Sequence, residues 1–150
     1  MSVLTEQPAA RVGTALPAAT FPITRKSLVR YAGASGDFNE IHWNGRFARE
    51  IGLPDVVAHG MYTMALAARV LTDWAGGPAA VREFTVRFAN PVVVPDDAAG
   101  TELTVRGQVT RELGGGLVRV DLEVAQGGTK VLSRAFAVVH APDQDAAAIA

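Results

Sequence analysis

Between Thr24 and Gly77 apolar residues recur at helical spacing, and from Val81 onward they alternate with polar ones every second position. The change of period divides the chain into a helical first half and a stranded second half. In "FPITRKSLVRYAGASGD", Thr24 is placed to cap a helix carrying Leu28, Val29, Tyr31 and Ala32, which ends at Gly33 or Gly36. Asn44 is placed to cap a second, short helix through "NGRFAREIG", closed by Gly52, and "LPDVVAH" after it reads as extended because Pro54 disfavours helix at Leu53. "HGMYTMALAARVLTDWAGG" predicts the one long helix. Met61, Met64, Ala65, Ala68 and Thr72 share one face, Leu66, Val70 and Trp74 another, and only Arg69 and Asp73 add charge, so the pattern calls for wrapping nearly all round.

The strands are half-buried. "EFTVRFAN" sets Phe84, Val86 and Phe88 against Thr85 and Arg87; "ELTVRGQVTREL" and "LVRVDLEVA" alternate in the same way. "KVLSRAFAVVH" is apolar on both faces apart from Ser133 and Arg134, as expected of a central strand or one at a subunit interface. The glycines at 114–116 and in "QGGT" supply hairpin turns. Helices segregated to one side of an antiparallel sheet make an α+β fold, with the sheet wrapped around the single apolar helix. Residues 1–150 read as one domain whose ends, notably "APDQDAAAIA", are expected to fray.

Composition narrows the chemistry. There is no cysteine, which removes disulfides, thiolate metal sites and cysteine nucleophiles and suits a reducing cytoplasm. Fourteen basic residues oppose fifteen acidic ones without a basic run, so nucleic acid is not an expected partner. No apolar run is long enough to cross a bilayer, and no signal pattern opens the chain.

Two stretches concentrate the polar chemistry. "YAGASGDFNEIHWN" places Asp37, Asn39 and His42 in a glycine-punctuated connection. Asp37 and His42 are five apart, a spacing that neither helix nor strand brings to one face, so only an irregular turn can join them as an acid/base couple. The bland alternative is surface solvation and, for Asn39, an Asx-turn. "AHGM" opens the long helix: there the Gly60 N–H offers a donor with no side chain in the way, an oxyanion hole in outline, or else Gly60 serves close packing and His59 satisfies a core hydrogen bond. His42, His59 and Asp37 as a two-histidine, one-carboxylate metal site are neither supported nor forbidden by spacing. Met61 and Met64 read as core filler or the wall of an apolar tunnel, and Trp43, Trp74 and His140 as structural.

"YAGASGDFNEIHWN" resembles the signature of the MaoC-like, (R)-specific enoyl-thioester hydratases, with Gly36, Asp37, Asn39, Ile41 and His42 on the pattern and Glu40 where the signature usually has proline. "AHGMYTMALAARVL" is similar to the family's next landmark, and the length and the "HGM" look closest to the catalytic subunit of actinobacterial type II (3R)-hydroxyacyl-ACP dehydratases. The resemblance implies a hot-dog fold and dehydration of (3R)-hydroxyacyl thioesters, or the reverse hydration. Asp37 and His42 would be catalytic, Asn39 would position them, and Gly60 with His59 would meet the substrate carbonyl. It implies no cofactor and no metal, an acyl-CoA or acyl-ACP thioester as substrate, and pairing with a copy of itself or a second hot-dog subunit. Arg87, Arg106, Lys130 and Arg134 are candidates for the carrier's phosphate. The rival readings are a hot-dog thioesterase and a non-catalytic acyl-binding or accessory subunit.

Overall fold

The computed structural model describes residues 10–142; the expected fraying of the two ends concerns residues lying mostly outside that span. The elements run β1 (Ala19–Ile23), α1 (Arg25–Ser35), α2 (Gly45–Glu50), α3 (Gly60–Ala75), β2 (Val81–Phe88), β3 (Thr101–Gly114), β4 (Leu117–Gln126) and β5 (Thr129–His140), with 3₁₀ turns at Glu40–His42 and Pro78–Ala80. The strands form one antiparallel sheet in the order β1-β3-β4-β5-β2. Helix α3 packs on β2, β3 and β5, which is the hot-dog arrangement.

Helices α1 and α2 start where a side chain can replace the missing backbone acceptor, whereas α3 has no side-chain cap. Thr24 and Ser27 form a reciprocal capping box at α1, and the Asn44 side chain accepts from Phe47 N–H at α2. Gly36 ends α1 and Gly76 ends α3 in the left-handed conformation, which a glycine adopts without a Cβ penalty.

The alternation in β3 and β4 buries Leu103, Val105 and Val109 opposite Val118, Val120, Leu122 and Val124, closing one core with Leu66, Ala67, Val70 and Leu71 of α3. Gly127 and Gly128 turn β4 into β5 with φ of 53° and 82°. A bulge in β5 shifts register against both neighbours and holds Arg134 at φ 47°, the one non-glycine residue with positive φ among those described.

Two findings depart from the sequence pattern. Strand β1 is an additional element, at the sheet edge beside β3. And α3 is not wrapped all round: Met61 is 58% exposed and Ala65 and Arg69 are exposed too, so the methionine face looks outward while Thr63, Leu66, Ala67, Val70 and Leu71 face the sheet.

Between β2 and β3 the chain passes back beside residues 56–58. Ala58 N–H donates to the Val92 carbonyl and Val94 N–H to the Val56 carbonyl, a short ribbon outside the main sheet that fixes the approach to α3. The Asp55 carboxylate adds a second tie: it accepts from Val56 N–H and meets Arg25 at 2.9 Å and Arg49 at 3.2 Å, joining the starts of α1 and the end of α2 to this segment.

Candidate active site

The connection from α1 to α2 is built from short-range polar contacts. Ser35 Oγ accepts from Asp37 N–H, the Asp37 carboxylate accepts from Asn39 N–H at 3.1 Å, and the Asn39 carboxamide oxygen accepts from Ile41 N–H at 3.2 Å. Asn39 therefore caps the 3₁₀ turn and fixes the Asp37 side chain through its backbone. Glu40, standing at the first position of that turn, accepts from the Asn44 side chain, and Trp43 Nε1–H donates to the Phe38 carbonyl. The irregular path delivers the side chain of His42 inward while leaving that of Asp37 half exposed.

His42 is 7% exposed and its Nδ1 lies 2.7 Å from the Val57 carbonyl oxygen. A carbonyl can only accept, so in the neutral ring Nδ1 carries the proton and Nε2 presents a lone pair. That Nε2 stands 3.8 Å from the Asp37 carboxylate, too far for a direct hydrogen bond. One oxygen about 2.8 Å from both would subtend an angle of roughly 85°, close to what a water or alcohol oxygen tolerates. The gap thus joins two acceptors and suits a donor with protons to give.

His59 closes the back of the site. It is 2% exposed, its ring stacks on that of His42 with centroids 3.7 Å apart and planes 21° from parallel, and its Nε2 lies 3.0 Å from the Asp37 carbonyl oxygen. Tyr31 meets the His59 ring edge-on, and Tyr62 packs against Tyr31. Burial pushes the His42 imidazole below its ordinary value; the Val57 hydrogen bond acts upward, His59 downward and Asp37 upward.

Gly60 begins α3, so its N–H has no intrahelical acceptor. It lines, with His42, Thr63, Phe88, Val92 and Val131, a cavity of about 320 Å³ that is mostly apolar. A Cβ on Gly60 would come within 3.0 Å of the Phe88 ring, so the glycine lets that ring, which also lines the cavity, pack against the start of the helix.

The structure therefore brings Asp37, His42 and His59 together, one ligand-type atom from each lying within 4.8 Å of the others, and sets Gly60 on the wall of the adjoining cavity. Asn39 supports from outside. His59 sits behind His42, buried and outside the set of residues that line the cavity. As a metal centre the trio is a poor fit, because lone pairs in two near-parallel stacked rings do not converge on one ion at about 2 Å. Sequence reasoning missed the Val57 carbonyl, which as a main-chain group leaves no residue signature, and Thr63 on the cavity wall, whose hydroxyl donates to the Gly60 carbonyl at 2.7 Å. The i, i+3 spacing of Thr63 from Gly60 is the signal that could have found it.

A family model described as a MaoC like domain matches residues 8–126. The 3-hydroxyacyl-thioester dehydratase X of Mycobacterium tuberculosis is 44% identical over 99 residues, which cover 60% of this chain and 34% of that protein. The fatty acid synthase subunit beta of Saccharomyces cerevisiae is 33% identical over 81 residues, 53% of this chain and 4% of that one. The chain thus spans about a third or less of the length of these curated relatives. Among solved structures, a MaoC-like dehydratase superposes with a TM-score of 0.82 at 36% identity, covering 87% of this chain and 40% of the other. The R-hydratase PhaJ1 from Pseudomonas aeruginosa follows at 0.76 and 28% identity, covering 89% and 83%.

Proposed function

Since the chain belongs to the MaoC-like domain family, we propose that it adds water to trans-2-enoyl thioesters and removes it from (3R)-hydroxyacyl thioesters. The observation that carries this reading is the 3.8 Å gap between the lone pair of His42 and the carboxylate of Asp37, beside the cavity that Gly60 lines. Water in that gap donates to both acceptors and turns an oxygen lone pair toward the β-carbon. As the C–O bond forms, the pair takes one proton from the water and returns one to the α-carbon, so the protein ends unchanged. Charge that develops on the thioester oxygen meets the free N–H at the start of α3, a contact of a kind worth about 3 kcal/mol. Dehydration runs the same steps backward. The residues supply both proton transfer and charge stabilisation, and the scheme calls on no cofactor.

The carrier is coenzyme A or acyl carrier protein, with the acyl tail against the apolar wall. Pairing with a second hot-dog subunit, whether a copy or a different chain, is supported by the outward methionine face of α3, by exposed Phe38 and Trp43 beside the site residues in the chain, and by exposed Phe88 on the cavity wall. A crystal structure of the ChsH1-ChsH2 complex from Mycobacterium tuberculosis shares this fold, with a TM-score of 0.75 at 24% identity. Among the described residues no helix is long and apolar enough to cross a membrane.

The test is direct. The purified chain, alone and with candidate partner subunits, is given a short trans-2-enoyl-CoA, and loss of the conjugated enoyl absorbance is followed together with free thiol. Absorbance loss without thiol supports the hydratase; thiol release identifies a thioesterase, and neither signal under any pairing leaves an acyl-binding module.

A further inference from the structure

His59 touches both members of the pair yet stands outside the cavity. Its Nε2 is 3.0 Å from the main-chain carbonyl of Asp37, its ring stacks on His42, and Tyr31 meets it edge-on. One side chain thereby joins the α1–α2 connection to the start of α3, beside the bonds that tie Ile41 and His42 to Val57. We infer that His59 is a positioning residue, a neutral Nε2–H tautomer that tethers the Asp37 backbone while its ring supports His42, and so sets the gap in which water is held. This rests on the hydratase reading and adds to it a residue with a separate task.

The tautomer follows from the partners. The Asp37 carbonyl only accepts, so Nε2 carries the proton, and Nδ1 is then a lone pair. Nδ1 is buried and has no hydrogen-bond partner. An unpaired buried acceptor is unfavourable for folding, and a fold that keeps one at this position does so at a cost that phenylalanine would not incur. That asymmetry separates positioning from mere packing: a purely structural His59 should lose nothing when replaced by a ring of the same shape.

The groups facing His42 are Asp37 from the α1–α2 connection, His59 from the start of α3 and the Val57 carbonyl from residues 53–59. Of these, His59 opposes protonation of His42 beyond the effect of burial.

The experiment compares His59→Phe and His59→Gln with the wild type. Phenylalanine keeps the stack and loses the tether; the glutamine carboxamide keeps a donor near the Nε2 position and loses the stack. The expected result is a kcat lower by about 10- to 100-fold in His59→Phe, with KM within about threefold and a melting temperature equal to or above wild type. His59→Gln recovers most of that loss. Wild-type kcat in a folded His59→Phe overturns the inference. Imidazole ¹⁵N spectra of the wild type give a readout independent of activity: Nε2 protonated and Nδ1 bare across neutral pH supports it, and the opposite tautomer or a charged ring overturns it. Full activity in Asp37→Asn or His42→Ala would instead overturn the hydratase reading, leaving the spectra to judge the tether by itself.

Discussion

A buried imidazole stacked on another resists taking a proton, and most of the site's behaviour follows from that. His42→Ala removes the acceptor and Asp37→Asn makes the second acceptor a poor one, so each is expected to lower turnover by about 10²-fold or more while circular dichroism stays native. In the wild type, the acid limb of kcat/KM should lie below the ordinary imidazole value near 6.5, because burial keeps His42 neutral there. The sign for folding is the same. With its folded pKa depressed, His42 takes no part in pH dependence above about 6.5; below it the unfolded chain binds a proton first, so stability falls until pH passes the folded value. Parallel pH series of kcat/KM and urea midpoints check both statements. Gly60→Ala keeps the backbone donor but crowds Phe88 on the cavity wall, so kcat/KM should drop about tenfold with folding stability within about 1 kcal/mol of wild type; unchanged kcat/KM would mean that the position of Phe88 does not matter to the reaction.

Among the elements, caps and periods were readable in the residues, while pairings between distant segments were not. Thr24, Asn44, Gly36 and Gly76 bound their helices as their side chains and backbone freedom dictate, and period two placed β2 to β5. Strand β1 escaped notice because "ATFPI" contains a proline, which is tolerated only since β1 is an edge strand with a single neighbour. In the site, Asp37, Asn39, His42 and Gly60 could be picked out by motif, but the stacking of His42 on His59 depends on how residues 53–59 fold back, which no local pattern encodes. Gly100 shows another such dependence: at φ 65° it passes so close to β1 that a Cβ would strike the Ile23 carbonyl oxygen. Gly100→Ala is expected to lower stability by about 2–4 kcal/mol, seen as a reduced urea midpoint at unchanged slope.

At the level of the whole molecule, α1, α2, α3 and the strands contribute to one contiguous apolar cluster, so none has a core of its own. Tryptophan fluorescence, reporting Trp43 and Trp74, and far-ultraviolet circular dichroism should therefore give coincident unfolding curves. If a second copy covers the outward face of α3, the midpoint should also rise with protein concentration. Unfolding at two concentrations tenfold apart measures this, and identical midpoints would argue that the partner is a different chain.

The carbonyl that orients His42 belongs to the main chain, which places it beyond the reach of ordinary mutation. Any residue may replace Val57 without deleting its oxygen, and the bonds from Val57 N–H to Ile41 and between residues 56–58 and 92–94 hold that oxygen in place from either side. Substitution can thus abolish the base or change its neighbours, but it has few ways of turning the ring around, and the protonation geometry of this imidazole should be the feature least altered as the surrounding sequence drifts.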